Sequence, residues 1–282
     1  MQDSIRKADI LIEARPYLQA FRGKVIVAKY GGSAIDNPTA MRGILEDLVF
    51  LSVVGIRAVL VHGGGPAIAR KLDSLGKQSR FVDGMRVTDR FTLRVVNKTL
   101  EEINRRLVSQ IHQLAGEAEG LTPKQEVIVA EPHLRAGELG YVGSVAWVHT
   151  GSIRRVFARQ AIAVISPVGV GNGQLYNVNA DDVASEVAAS LKAEKLVLLT
   201  NVRGILSKPA DSGSLLSTLS VRKVTQLIQK GTIQAGMIPK VNACVEALRR
   251  GVKKTHIIDA ALPHAMLLEI FTQRGIGTEI IR

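Results

Sequence analysis

Cysteine is all but missing from this chain: Cys244 stands alone among 282 residues. No internal disulfide can form, and a cytoplasmic location is expected. Cys244 itself reads as a small buried apolar residue rather than a nucleophile. Aromatic residues are scarce, at 4%. That is too few for a base-stacking platform, so no nucleic-acid role is expected despite a formal charge of +12. No run of about 18 apolar residues exists, so no membrane span is expected. The N-terminus, Met1 to Asp9, carries charges where a signal peptide needs an apolar stretch. Two common nucleotide signatures are also missing, the G-x-x-x-x-G-K-[ST] loop and the G-x-G-x-x-G fingerprint. No His/Cys cluster has metal-ligand spacing.

What is present is a pair of glycine-rich turns, each closing a short apolar strand. The first follows Val25-Ile26-Val27-Ala28-Lys29-Tyr30 as Gly31-Gly32-Ser33. The second follows Ala58-Val59-Leu60-Val61-His62 as Gly63-Gly64-Gly65-Pro66. Helical segments come after both. Glycine lets backbone N–H groups approach an anion, and a helix N-terminus adds a favourable dipole. A strand, a glycine turn and a helix together make a cradle for phosphate or carboxylate. Gly169-Val170-Gly171-Asn172-Gly173 reads as a turn.

With 46% hydrophobic residues the chain can bury a large core, in one domain or two. Residues 3–21 read as a helix through Ile5, Ala8, Leu11, Ile12, Ala14 and Leu18, with a kink or break at Pro16. A strand at 24–30 follows. Asn37 caps a helix whose first residue is Pro38 and which runs to about Val54. Next come a strand at 57–61, a helix from Pro66, a hairpin within 79–89 and a long helix over 91–115. Strands are expected at 126–130, 141–148, 162–166, 195–200 and 255–258. Helices are expected at 181–191, 220–230 and 239–250. Alternating strands and helices imply a mostly parallel α/β sheet covered on both faces. The kinds of motif change near residue 192, where a lobe boundary is expected.

Five motifs occur in order: Lys29-Tyr30-Gly31-Gly32, His62-Gly63-Gly64-Gly65-Pro66, Gly84-Met85-Arg86-Val87-Thr88-Asp89, Asn177-Val178-Asn179-Ala180-Asp181 and Gly236-Met237-Ile238-Pro239-Lys240. Together they resemble the acetylglutamate kinases of the amino acid kinase family, along essentially the whole chain. The resemblance implies an open, mostly parallel α/β sheet sandwiched between helices. It implies an N-terminal extension (1–22), an acetylglutamate-binding lobe (23–191) and an ATP-binding lobe (192–282). The implied reaction transfers a phosphoryl group from MgATP to the side-chain carboxylate of N-acetyl-L-glutamate, the second step of arginine biosynthesis. A carboxylate acceptor has a pKa of about 4 and is already ionised at neutral pH, so no general base is required. The need is for positive charge between two anions. By resemblance Lys29 and Lys240 supply it, and Asp181 holds both ammonium groups. Gly31 and Gly32 would face the transferring phosphoryl group. Arg86, Asn177, Gly64 and Gly65 would form the acceptor pocket, with Arg86 clasping the α-carboxylate. Thr200, Asn201, Gly204, Gly236 and Met237 would frame the nucleotide. Mg²⁺ is expected only with ATP.

The chain departs from the family pattern at Asn201, where aspartate is usual, at Ala235 and Ala260, where glycine is usual, and around Leu121 to Gln125. The N-terminal helix resembles that of arginine-inhibited members, in which it exchanges between dimers to build a hexamer; folding back on its own subunit is the alternative. Leu268-Glu269-Ile270-Phe271 and Arg274-Gly275-Ile276-Gly277-Thr278 resemble the arginine-binding end of those members. Tyr17, Lys195, Glu269 and Gly275 would line an arginine site. Two other readings stand beside the kinase: a regulatory domain like that of the acetylglutamate synthases, and a binding subunit for a PII-type signalling protein.

Overall fold

A computed structural model describes residues 1–208, 211, 213–233, 236–272 and 275–282, without the side chains of residues 3, 4, 7, 8, 11, 33 and 34. Ala235 and Arg274, and the side chains of Ala8, Leu11 and Ser33, lie outside the described residues. In chain order the helices are α1 (Gln2–Phe21), α2 (Pro38–Val53), α3 (Gly65–Ser74), α4 (Arg90–Gln113), α5 (Ala136–Leu139), α6 (Thr150–Ala158), α7 (Ala180–Ser190), α8 (Val221–Gln229), α9 (Ile238–Arg249) and α10 (Ala265–Phe271). The strands are β1 (Val25–Tyr30), β2 (Arg57–His62), β3 (Phe81–Val82), β4 (Met85–Arg86), β5 (Ala118–Leu121), β6 (Ile128–Pro132), β7 (Val142–Val148), β8 (Ile162–Ile165), β9 (Val168–Gly171), β10 (Gln174–Val178), β11 (Lys195–Thr200), β12 (Thr218–Ser220), β13 (Lys254–Asp259) and β14 (Thr278–Ile281).

Eight strands form one sheet in the order β12-β14-β13-β11-β1-β2-β8-β5. Every neighbouring pair is parallel except β13 with β14. Alternation along each strand sends successive side chains to opposite faces. Val27, Val59 and Leu196 join α7 and α9 in one core. Ile26, Leu60 and Val197 join α2, α4 and α10 in the other. The expected doubly covered sheet is therefore present. Cys244 lies in the first core, and burial pushes its thiol up to about 12. Strands β6, β7, β9 and β10 close into a small barrel beside the sheet. Among the described residues no helix is long and apolar enough to cross a membrane.

Asn37 caps α2, its side-chain oxygen accepting from Thr39 N and Ala40 N at 3.1 Å each. Pro16 lies inside α1 and does not end it. The helix runs past it to Phe21, where Tyr17 and Phe21 meet Phe271 of α10 edge-on. The glycine-rich stretch at 169–173 is a hairpin rather than a turn alone. Gly169 and Gly171 belong to β9, and Asn172 and Gly173 turn with φ of 49° and 73°.

Candidate active site

The carboxyl ends of β1, β2 and β11 lie side by side, as the register places Tyr30 opposite both His62 and Leu199. In open α/β sheets such ends form the binding crevice. Here the two glycine turns leave β1 and β2 in mutual contact. Gly63 N donates to the Tyr30 carbonyl at 2.7 Å. A Cβ on Gly31 would lie 3.2 Å from Gly63 Cα, and one on Gly64 would lie 2.7 Å from Leu100. Gly32 and Gly65 face open space. Gly64 caps α3, so the first amides of that helix point into the crevice.

Asn179 caps α7 by accepting from Asp181 N at 2.7 Å and Asp182 N at 3.3 Å, which sets Asp181 in the first turn. Its carboxylate sits between two ammonium groups. Lys29 Nζ is 2.9 Å from Oδ1 as an ion pair. Lys240 Nζ, arriving from α9, donates to Oδ2 at 2.9 Å. Lys29 and Asp181 are buried and Lys240 is half-buried. Burial drives the Lys29 ammonium below the ordinary lysine range, with Lys240 adding to the effect and Asp181 opposing it. For Asp181 burial pushes up, but the two lysines outweigh it and hold the carboxyl below its usual range.

A cavity of about 220 Å³ opens from this clamp. It is lined by Lys29, Gly64, Gly65, Arg86, Asn177 and Asp181, among others. Arg86, on the β3–β4 hairpin, is buried; it donates to the Gly65 carbonyl at 2.9 Å and to Ser79 Oγ. Its guanidinium stacks over Phe81, 4.7 Å from the ring centre. Asn177, at the end of β10, donates through Nδ2 to Thr88 Oγ1 at 3.1 Å. The structure thus brings the three clamp residues together with the four residues expected to form an acceptor pocket. Thr88 was not singled out from sequence, although its place two residues after Arg86 on an extended segment was a signal.

His62 does not serve this cavity as a base. Asn104 Nδ2 donates to its Nε2 at 3.1 Å, so Nδ1 carries the hydrogen and meets the Gly63 carbonyl at 3.1 Å. Burial lowers its pKa to about 4, so the ring is neutral.

The residues expected to frame a nucleotide form two groups outside the cavity lining. Thr200 ends β11, its hydroxyl accepting from Val202 N at 3.1 Å. Asn201 is exposed. Gly204 has φ of 143°, and a Cβ there would lie 2.6 Å from Thr278 Oγ1. Gly236 and Met237 lead directly into α9 and Lys240.

A second cavity, of about 350 Å³, gathers Tyr17, Lys195, Glu269 and Gly275. It also holds His256, which sequence reading passed over. His256 Nδ1 meets Glu269 Oε1 at 2.6 Å, and Lys195 Nζ lies 3.1 Å from His256 Nε2. Glu269 Oε2 accepts from Ile276 N and Gly277 N at 2.7 and 3.1 Å. Burial is the largest influence on all three; Lys195 and His256 are lowered by it. For Glu269 burial pushes up, but the hydrogen bond and charge of His256, with the Ile276 and Gly277 amides, together outweigh it and hold the carboxyl below its usual range. A Cβ on Gly275 would fall 2.7 Å from Glu269 Oε2.

Among known proteins, an acetylglutamate kinase of Moorella thermoacetica is 47% identical over 289 residues, covering 98% of each chain. The N-acetylglutamate synthase of Neisseria gonorrhoeae, solved with coenzyme A and N-acetyl-glutamate, is 28% identical with a TM-score of 0.86. That match covers 96% of this chain, which spans 62% of the synthase chain. The same synthase solved with coenzyme A and L-arginine matches at 26% identity and a TM-score of 0.82, over 95% of this chain and 64% of that one. The sequence profile described as the amino acid kinase family matches residues 24–259, and the chain belongs to that family.

Proposed function

We propose that this chain phosphorylates the side-chain carboxylate of N-acetyl-L-glutamate with MgATP, giving N-acetyl-L-glutamyl 5-phosphate, in the cytoplasmic synthesis of arginine. The observation that carries this reading is the clamp of Lys29 and Lys240 on Asp181 at one end of a cavity whose other wall holds Arg86. The acceptor carboxylate is a nucleophile without help, and both reactants are anions. Lys29 and Lys240 neutralise charge on the transferring phosphoryl group, while Asp181 keeps them oriented and protonated. Gly31, Gly32, Gly64 and Gly65 offer backbone N–H groups. Arg86 and Asn177 hold the α-carboxylate end. Thr200, Asn201, Gly204, Gly236 and Met237 frame ATP, and Mg²⁺ enters with it. The working units are 1–22, 23–191 and 192–282; the last boundary runs through the sheet between the paired strands β1 and β11.

The test traps acyl phosphate as its hydroxamate, with N-acetyl-L-glutamate compared against glutamate, aspartate and carbamate. Turnover with N-acetyl-L-glutamate alone is expected. Lys29→Ala is expected to lower the rate by at least about 10²-fold. Folded wild-type protein inert toward all four acceptors would instead favour a regulatory, synthase-like domain.

Arginine inhibition belongs to the same proposal. The second cavity sets the Glu269 carboxylate beside Lys195, Tyr17 and Gly275, a mixed-charge set suited to an amino acid with a cationic side chain. Exposed Ile5, Ile10 and Ile12 on α1 support exchange of that helix within a homohexamer. Docking of a PII-type signalling protein on the assembled enzyme is the remaining partnership in this reading.

A further inference from the structure

Thr88 is completely buried and sits where two parts of the acceptor cavity join. Its backbone ties the segment after the β3–β4 hairpin to the start of β7. Thr88 N donates to the Leu139 carbonyl at 2.8 Å, and Tyr141 N donates to the Thr88 carbonyl at 2.7 Å. Gly140 lies between them with φ of 70°, and a Cβ there would fall 2.4 Å from Thr88 O. The approach is open only to glycine.

The side chain continues this connection. Thr88 Oγ1 donates to the Arg86 carbonyl at 2.7 Å. A carbonyl has no hydrogen, so the single hydroxyl proton is committed to that bond. The same oxygen can then only accept from its other neighbour, Asn177, at 3.1 Å. The Asn177 amide is thereby fixed with Nδ2 toward Thr88. Its Oδ1 has no protein donor among the described residues and is not sealed from solvent. The cavity wall consequently presents a guanidinium at Arg86 and a bare amide oxygen at Asn177. An N-acylated α-amino acid carries the complementary pair, a carboxylate and an amide N–H on one carbon.

We propose that Thr88 is a positioning residue for the acceptor: its buried hydroxyl sets the Asn177 amide so that Oδ1 receives the acylamino N–H while Arg86 takes the α-carboxylate. This rests on the acceptor proposed above. Without the hydroxyl the amide is free to flip, and an N–H would then face an N–H.

The test is calorimetric binding of N-acetyl-L-glutamate to the full chain, beside the steady-state KM for each substrate. Thr88→Val keeps the shape and removes the hydroxyl; it is expected to weaken N-acetyl-L-glutamate about tenfold and leave the KM for ATP within about twofold. Thr88→Ser is expected to return affinity to within about threefold of wild type. In an Asn177→Ala background, Thr88→Val is expected to add less than about twofold, because the group it orients is gone. Equal losses in Thr88→Val and Thr88→Ser, or a full tenfold loss in the Asn177→Ala background, would overturn the proposal. Should Thr88→Val fail to fold, Thr88→Ala and Thr88→Ser make the same comparison. Binding without turnover in the wild type would count against the kinase reading and still test Thr88. Absence of binding to wild type would overturn both.

Discussion

Asp181 places one carboxylate against two ammonium groups, and the unequal burial of those groups makes a pH prediction possible. Burial lowers the Lys29 pKa, and the negative charge of Asp181 is the chief influence in the other direction. Asp181→Asn keeps the shape and removes that support. In the proposed reaction Lys29 carries its proton to neutralise phosphoryl charge, so activity is expected to fall as pH rises through its pKa. In Asp181→Asn that alkaline loss is expected to begin at lower pH than in the wild type, on a rate reduced by about 10²-fold or more. A kcat profile from neutral to alkaline pH checks this; an unmoved alkaline limb would mean that Asp181 does not sustain the Lys29 charge. His62 titrates in stability rather than rate. Its pKa falls from 6.5 in the unfolded chain to about 4 in the fold. Between those values the unfolded chain binds the extra proton, so stability falls as pH falls, by about 3 kcal/mol at most. Urea unfolding is expected to show a smaller acid loss for His62→Gln than for wild type; parallel losses would exonerate the imidazole. Both residues were readable in the sequence, because each belongs to a motif at a strand or helix end. His256 was not. It sits within a short buried strand, and its partners Lys195 and Glu269 lie 61 and 13 residues away. Nothing local marks such a chain.

At the level of elements, ends were more legible than interiors. Asn37-Pro38 announces α2 by chemistry alone, since the cap and the proline both act within one turn. The hairpin of β9 and β10 was harder to read. Gly169 and Gly171 are glycines because β6 crosses so closely that their Cβ atoms would lie 2.5 Å from Ala130 Cβ and 1.9 Å from Ala130 O. That contact spans some forty residues of chain and leaves no periodic trace. The helix α6, the edge strand β12 and its neighbour β14 were likewise missed; strands of three or four residues are too short to show alternation. The start of α10 is held from afar. Asp47, fully buried on α2, accepts from Met266 N at 3.1 Å and meets His264 Nδ1 at 2.7 Å. The two helix ends therefore invite a comparison. Asn37→Ala removes a cap that water can replace and is expected to cost about 1 kcal/mol. Asp47→Ala strands a buried N–H and is expected to cost about 2–4 kcal/mol. Denaturant midpoints of the two variants measure the difference, and near-equal losses would show that the Asp47 link is replaced by solvent.

Across the whole molecule, α1 is the element least explained by the single chain. Its last turn is anchored, Tyr17 and Phe21 meeting Phe271 at about 6 Å between ring centres. In its earlier part the described side chains of Ile5, Ile10 and Ile12 are 55%, 55% and 65% exposed. Such residues scattered along one helix bury little on their own chain, whereas pairing with the same helix of another copy would remove them from water. The anchored end also lines the second cavity through Tyr17 and Phe21, beside Lys195 and Glu269. One helix thus joins a surface suited to assembly with a pocket suited to arginine, and the two properties should be lost together. Removing residues 1–20 is expected to shift the sedimentation profile from hexamer to a smaller species and to weaken arginine inhibition, while the clamp of Lys29, Asp181 and Lys240, which lies outside α1, keeps the uninhibited rate close to that of the full chain. The Glu269→Gln variant separates the causes. It leaves α1 in place and removes only the carboxylate, so it is expected to lose arginine sensitivity and retain the hexamer. A truncated protein that sediments and responds to arginine as the full chain does would mean that α1 folds back on its own subunit and serves neither purpose.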